Sequence, residues 1–227
     1  MKIKLFKLVF MLLITAPAFA QNFRLNGYGA YVFDDQVDSR YDANNYYEGT
    51  IQGGFQWGVG AEFLIRETKG IELKYIRQDT KAPMKYNYNY TGGFKTKTFD
   101  VGINYILIGG SNYFSTGNDK IEPYFGLGLG AAFFDIKNAE AGADGSSTKF
   151  AWELKGGTNI WFSEKVGLKL QVDLLSAVQG AGGGLYFGTG GAGAGVSTYS
   201  TMYQFGLGGG LVFNFAKQTQ PQAQPVP

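Results

Sequence analysis

Alternation with a period of two, apolar on one side and glycine or charge on the other, recurs eight times along this 227-residue chain. Successive side chains of a β-strand point to opposite faces, so this period predicts strands, and no segment shows a convincing helical period. The eight segments are 23–33, 51–65, 71–78, 99–108, 121–134, 150–162, 166–175 and 201–215. In the last, Tyr203, Phe205, Leu207, Leu211, Phe213 and Phe215 share one face, and Gln204, Gly206, Gly208, Gly210 and Asn214 share the other. The fifth sets Phe125, Leu127, Leu129 and Phe133 against Glu122, Tyr124, Gly126, Gly128 and Gly130. The adjacent Trp161 and Phe162 predict an end or a bulge in the sixth.

Shorter and longer connections alternate between these segments. Arg66-Glu67-Thr68-Lys69-Gly70 and Ser163-Glu164-Lys165 are tight links, residues 109–120 form a medium one, and the others are long and rich in Tyr, Asn or Gly. That alternation fits an up-and-down barrel with two different rims better than a Greek-key sandwich. The second face decides what surrounds the barrel. A soluble barrel would show Lys, Glu, Ser and Thr there, whereas this face is dominated by glycine, which accounts for 35 residues of the chain. Glycine weakens a strand unless space is short, as it is inside eight strands. The glycine face therefore points inward and the apolar face outward into lipid. The fold class expected is all-β, an eight-stranded antiparallel up-and-down transmembrane β-barrel.

The first twenty residues stand apart from this fold. Lys2, Lys4 and Lys7 precede an apolar run from Leu8 to Thr15, and Ala18 and Ala20 occupy the positions a signal peptidase reads. Cleavage between Ala20 and Gln21 is expected, giving a signal peptide over 1–20, a barrel domain over 21–215 and a disordered Gln/Pro-rich periplasmic tail over 216–227. Loss of three lysines turns the formal charge from +2 to −1. No basic field then remains to attract nucleic acid. The chain has no cysteine and no histidine, which removes thiolate nucleophiles, the usual zinc sites and the commonest general base. No catalytic residue, metal ligand or cofactor site is predicted.

Alternation directs Arg24, Glu62, Glu72, Lys74, Asp100, Glu122, Glu153, Lys155, Lys169 and Asp173 toward the lumen. Buried ions of mixed sign must pair or be hydrated. They form either a salt-bridged plug or the lining of a narrow path, and the width of eight strands favours the plug.

The signal peptide, the eight alternating segments, the Ile121-Glu122-Pro123-Tyr124-Phe125-Gly126-Leu127-Gly128 stretch and the ending Gly210-Leu211-Val212-Phe213-Asn214-Phe215 resemble the small outer-membrane β-barrel family of the OmpA transmembrane domain, OmpX, OmpW and the opacity proteins. Gln21-Asn22 and the Asn/Tyr-rich loops are similar to members from the Bacteroidota. The resemblance implies an outer-membrane location and a salt-bridged core. It also implies an assembly signal in the last strand, read by the barrel-assembly machinery. Gly210, Phe213 and Phe215 match that signal, while Gly208 stands where a polar residue is usual and the match is internal. The family's proteases, phospholipase and palmitoyl transferase depend on a histidine that this chain lacks, so no enzymatic role carries over.

Recognition, if any, is expected in the long loops. Tyr46 and Tyr47 lie in the first, Tyr86, Tyr88 and Tyr90 alternate in the second beside Lys81, Lys85, Lys95 and Lys97, and Tyr186 and Phe187 sit among the glycines of the fourth. The tyrosine stripe suits glycan or lipopolysaccharide contact, or is one face of a hairpin protruding beyond the membrane. Gly188-Thr189-Gly190-Gly191-Ala192-Gly193 satisfies a dinucleotide-binding pattern by composition alone, since it opens no helix. Asp34, Asp35, Asp38 and Asp42 fit no calcium loop. The role expected is a structural or surface-interaction one without catalysis. The alternatives are a narrow channel for small or apolar solutes, as the OmpW resemblance implies, and an adhesin or envelope-complex subunit acting through the outer loops. Expected partners are outer-membrane lipid and lipopolysaccharide, the assembly machinery and a surface ligand.

Overall fold

A computed structural model describes residues 22–40, 46–87, 95–137, 145–178, 184–188, 191–195 and 201–215. Among them are twelve strands and no α-helix: β1 (Phe23–Val32), β2 (Asp35–Arg40), β3 (Tyr46–Ile51), β4 (Gly54–Arg66), β5 (Lys69–Asn87), β6 (Lys95–Tyr113), β7 (Ile121–Lys137), β8 (Gly145–Trp161), β9 (Val166–Val178), β10 (Gly184–Gly188), β11 (Gly191–Gly195) and β12 (Met202–Asn214). Eight of them close a ring in the order β1, β4, β5, β6, β7, β8, β9, β12, with every neighbouring pair antiparallel. The wall is thus an all-antiparallel up-and-down β-barrel without an open edge.

The pairing register fixes its girth. Stepping from Arg24 through Glu62, Glu72, Gly109, Gly128, Glu153, Leu175 and Gln204, and extending the β1–β12 register two residues past Val32, returns to Asp34, a stagger of ten residues. Eight strands with that stagger tilt by roughly 40° and leave an interior that side chains fill. Tight links at 67–68 and 162–165 and the turn 114–120, where Gly117 takes a φ of 76°, define one rim. Both ends of the described wall meet there, the Phe215 N–H donating to the Phe23 carbonyl at 2.8 Å.

At the opposite rim several strands run far past the length needed to cross a bilayer. β5 and β6 each have 19 residues and β7 and β8 each have 17, against about 9–11 for a tilted membrane strand. The alternating segments end at Gln78 and resume at Phe99, whereas β5 runs on to Asn87 and β6 begins at Lys95. β2 and β3 prolong the β1–β4 hairpin, and β3 pairs with β5 through Tyr47 opposite Tyr86. The offset between β3 and β4 turns on Gly53, whose N–H donates to Asp34 Oδ1 at 2.7 Å, and a Cβ there would overlap the Val32 carbonyl. β8 ends at Trp161, where the sequence placed an end or a bulge.

The phase of alternation holds along the long strands, but its polarity inverts. Toward the short-turn rim the outward residues are apolar, as with Ile71, Leu73, Ile106, Ile108, Leu127 and Leu129, and the inward ones are polar, as with Glu72, Lys74, Glu153 and Lys155. Toward the long-loop rim the outward positions become Arg77, Asp79, Lys81, Asp100 and Asp135. The inward ones become Ala82, Met84, Phe99, Val101, Ile103, Phe134 and Ile136, which form a buried cluster. A wall that leaves lipid for water must exchange its outer polarity, and its core then follows that of a soluble barrel.

Aromatic side chains flank the outward aliphatic band. Phe23, Phe63, Phe125, Phe213 and Phe215 edge it near the short turns, and Tyr31, Phe33, Phe55, Trp57, Phe150, Tyr203 and Phe205 edge it on the other side. Phe33 stacks on Phe205 at 5.8 Å and Trp57 meets Tyr75 edge-on at 5.9 Å, tying neighbouring strands across the wall.

Candidate functional site

The half of the lumen nearer the short turns is filled by a charge network drawn from seven strands. At its foot Arg24 of β1 donates from both terminal nitrogens to the Glu122 carboxylate at 3.0 Å, a bidentate pair, and lies over the rings of Tyr113 and Trp161. Asn159 Nδ2 donates to the same carboxylate at 2.7 Å. One level further in, Lys155 Nζ meets Glu72 Oε2 and Lys74 Nζ meets Glu153 Oε1, each at 2.5 Å and each almost wholly buried. Glu72 also accepts from Asn26 Nδ2 at 2.8 Å and from the Tyr28 hydroxyl. Glu62 has no cation within ion-pair distance among the described residues and accepts from the Tyr113 hydroxyl at 2.5 Å.

The remaining charges are held differently. Lys169 Nζ sits over the Tyr124 ring at 4.3 Å and the Tyr28 ring at 5.9 Å. Asp173 Oδ1 accepts from Gln171 Nε2 at 3.1 Å, and Gln171 in turn accepts from the Tyr124 hydroxyl. Asp173 Oδ2 and Gln56 Nε2 have no hydrogen-bond partner among the described protein atoms. Both residues line one small internal cavity with Tyr28, Lys74 and Gln171, of about 10 Å³, the space of about one water. Above it the Tyr105 hydroxyl donates to Gln204, and Gln204 Nε2 donates to Gln78 at 2.6 Å. The apolar cluster on β5–β9 and β12 closes the lumen beyond that level.

Lumen glycines make room for these groups. A Cβ at Gly60 would overlap Glu72 Oε1, and one at Gly206 would stand 2.7 Å from Asp173 Oδ2. The space freed on one strand is filled by a carboxylate from its neighbour.

Nine of the ten charges that alternation directed inward lie in the lumen: Arg24, Glu62, Glu72, Lys74, Glu122, Glu153, Lys155, Lys169 and Asp173. Asp100 is the correction. It is exposed on the outer wall of β6, because it lies beyond the level where polarity inverts, and Phe99 and Val101 fill the lumen beside it. Lys149, one residue before the sixth alternating segment, is buried on the inward face of β8. Five acids therefore face five bases inside the barrel. Tyr28 and Tyr113, which hold Glu72 and Glu62, are absent from the sequence expectations although they share the lumen parity of their strands.

The assembly-signal residues lie at the short-turn end of β12, with Phe213 and Phe215 outward and Gly210 on the inward parity. A Cβ at Gly210 would overlap the Gly27 carbonyl. Tyr46 and Tyr47 are in β3, Tyr86 in β5, and Tyr186 and Phe187 in β10. Ala18, Ala20, Gln21, Tyr88, Tyr90 and the 216–227 tail lie outside the described residues. Of the loop aspartates, Asp34 accepts from Gly53 and Asp35 Oδ2 accepts the Tyr203 N–H at 3.0 Å. Burial pushes the Asp35 carboxyl up from its ordinary 3.8, against the Tyr203 N–H, which draws it down.

By sequence alone the chain matches no protein-family profile and no curated protein. By structure it is similar to Neisserial surface protein A, with 16% identity, a TM-score of 0.54 and coverage of 85% of this chain and 96% of that one. It is similar to the outer membrane protein OprG from Pseudomonas aeruginosa at 14% identity and a TM-score of 0.53, covering 87% and 97%. It is also similar to the outer membrane protease OmpT from Escherichia coli at 6% identity and a TM-score of 0.51, covering 86% and 97%. In fold the chain is an eight-stranded up-and-down β-barrel like these small outer-membrane proteins.

Proposed function

We propose that the chain is an integral outer-membrane barrel whose lumen is plugged and which acts without catalysis through the wall and loops of its long-loop rim. The observation that carries this reading is the doubly filled lumen. The ion pairs Lys74–Glu153 and Lys155–Glu72 occupy one level with side chains no more than 3% exposed, and the buried cluster around Phe99, Tyr105 and Phe134 occupies the next. The outward aliphatic band between aromatic edges supports insertion in lipid. The absence of histidine and cysteine from the sequence argues against the usual nucleophile and base pairs. In this reading Ala20–Gln21 is the signal cleavage site, the short turns and the tail face the periplasm, Phe213 and Phe215 guide assembly, and lipopolysaccharide surrounds the outer wall.

Purified protein reconstituted into planar bilayers is expected to give no single-channel steps. Stable steps abolished by Glu62→Ala or Lys169→Ala would replace this reading with a narrow channel. The protruding strands β5–β8 favour surface interaction as the role that remains. Deleting residues 81–97 is then expected to abolish binding to cells or to a co-purifying envelope partner while the barrel still folds.

A further inference from the structure

A hollow bounded by β5, β6 and β7 lies outside the lumen. It measures about 750 Å³, and its lining includes Arg77, Asp79, Lys81, Asp100, Gly102, Asp135 and Lys137. That is within the range of small-molecule sites, about 300–1,000 Å³. Gly102 forms its floor, since a Cβ there would meet Arg77 and Asp79 only at 3.5 Å and Asp135 at 3.8 Å.

We propose that this hollow seats the phosphate-bearing headgroup of a lipid whose acyl chains lie on the wall of β5–β7, an inference that rests on the membrane-barrel reading above. Height is the first argument. Directly toward the short turns the same strands present Leu73, Ile106, Ile108 and Leu129, all exposed. A lipid packed on those residues brings its headgroup to the hollow. The second argument is the break in the aromatic edge. β1, β4, β5, β7, β8 and β12 end their apolar faces in Tyr31, Trp57, Tyr75, Phe133, Phe150 and Phe205, whereas β6, at the middle of the hollow, passes from Ile106 into Asn104 with no aromatic residue.

Charge supplies the third. Arg77 is fixed by Asp79, which accepts from Nε at 3.0 Å and from a terminal nitrogen at 2.6 Å, and by Asn104 Oδ1 at 2.9 Å. Those contacts pair Arg77 with Asp79, so each offsets the other's charge. In the next row Lys81, Asp100 and Lys137 stand in register on three neighbouring strands. Neither lysine has an ion-pair partner among the described residues. Strands are about 4.8 Å apart, so the two ammonium groups flank a site about 10 Å across that both reach. Two lysines on either side of Asp100 suit a phosphate, with Asp100 between them as the group that opposes it and with Arg77 and Asp79 already paired to each other. The carboxylates form no metal-ligating group among the described residues.

The test is native mass spectrometry of the full mature chain in a neutral detergent, with three probes at equal concentration. A short-chain phosphatidic acid carries phosphate and chains, the matching diacylglycerol carries chains alone, and glycerol 3-phosphate carries phosphate alone. One phosphatidic acid is expected to bind. Lys81→Ala with Lys137→Ala should weaken it about tenfold, and Asp100→Asn should strengthen it. Equal binding of diacylglycerol, equal binding of glycerol 3-phosphate, or an unchanged affinity in the double lysine variant would each overturn the proposal. The shift of unboiled protein on a gel reports separately whether a barrel has formed. A folded barrel that fails to bind overturns the headgroup site alone, whereas a missing shift in wild type overturns the reading beneath it.

Discussion

Lys155 shows how the lumen depends on single atoms. It is buried against Glu72 at 2.5 Å and lies 4.0 Å from Glu153. Removing one partner of a buried ion pair leaves a bare charge in a low dielectric and costs about 3–5 kcal/mol, whereas replacing both is often nearly neutral. Lys155→Met is expected to lower stability by about that amount, and Lys155→Met with Glu72→Gln should regain much of it. Urea titration of the barrel in lipid vesicles measures both. Asp35, at the long-loop rim, predicts a pH effect. Its folded pKa lies above the ordinary 3.8 because of burial. The stability it contributes is therefore present below about pH 4 and is lost as the pH rises through the raised value. Asp35→Asn keeps an acceptor for the Tyr203 N–H and removes that slope. The variant should exceed wild type in urea midpoint at pH 7 and converge with it at pH 4; an equal gap at both pH values would contradict the assignment.

Each long strand is two strands in series with opposite polarity. On β7, Leu129 is outward in the aliphatic band, and Asp135 is outward beyond Phe133. Leu129→Arg is expected to cost about 2–4 kcal/mol for a charge in the lipid-facing wall, and Asp135→Leu to leave insertion unchanged. The yield of folded protein in vesicles distinguishes them. This inversion also explains what could be read from sequence. The phase of alternation was legible throughout, because pleating fixes it, and it placed nine lumen charges and the outward faces of β7 and β12. The sense of the faces was not legible at the outer ends, since a period of two does not say whether the polar side meets water outside or partners within. Asp100 was drawn inward for that reason. β5 and β6 were cut short because Thr80, Ala82 and Pro83 carry no strong apolar stripe. Lys149 was missed because β8 begins at Gly145, in a polar stretch with no visible alternation.

At the scale of the molecule, the closed ring ties stability to the joining of β1 and β12. Without residues 202–227, β1 and β9 would each keep an unpaired edge. Such a truncated chain is expected to show no shift on an unboiled gel and to aggregate in detergent. The joint pairs residues nearly a whole chain apart, Arg24 with Asn214, and sets Gly29 opposite Gly209 on the outward face. Closure therefore carries the largest loop entropy of any pairing in the barrel and must wait for the end of the chain to emerge. The two facing glycines leave the middle of the joint without side-chain cover. It is a clasp: last to fasten, and the place where the barrel would first come undone.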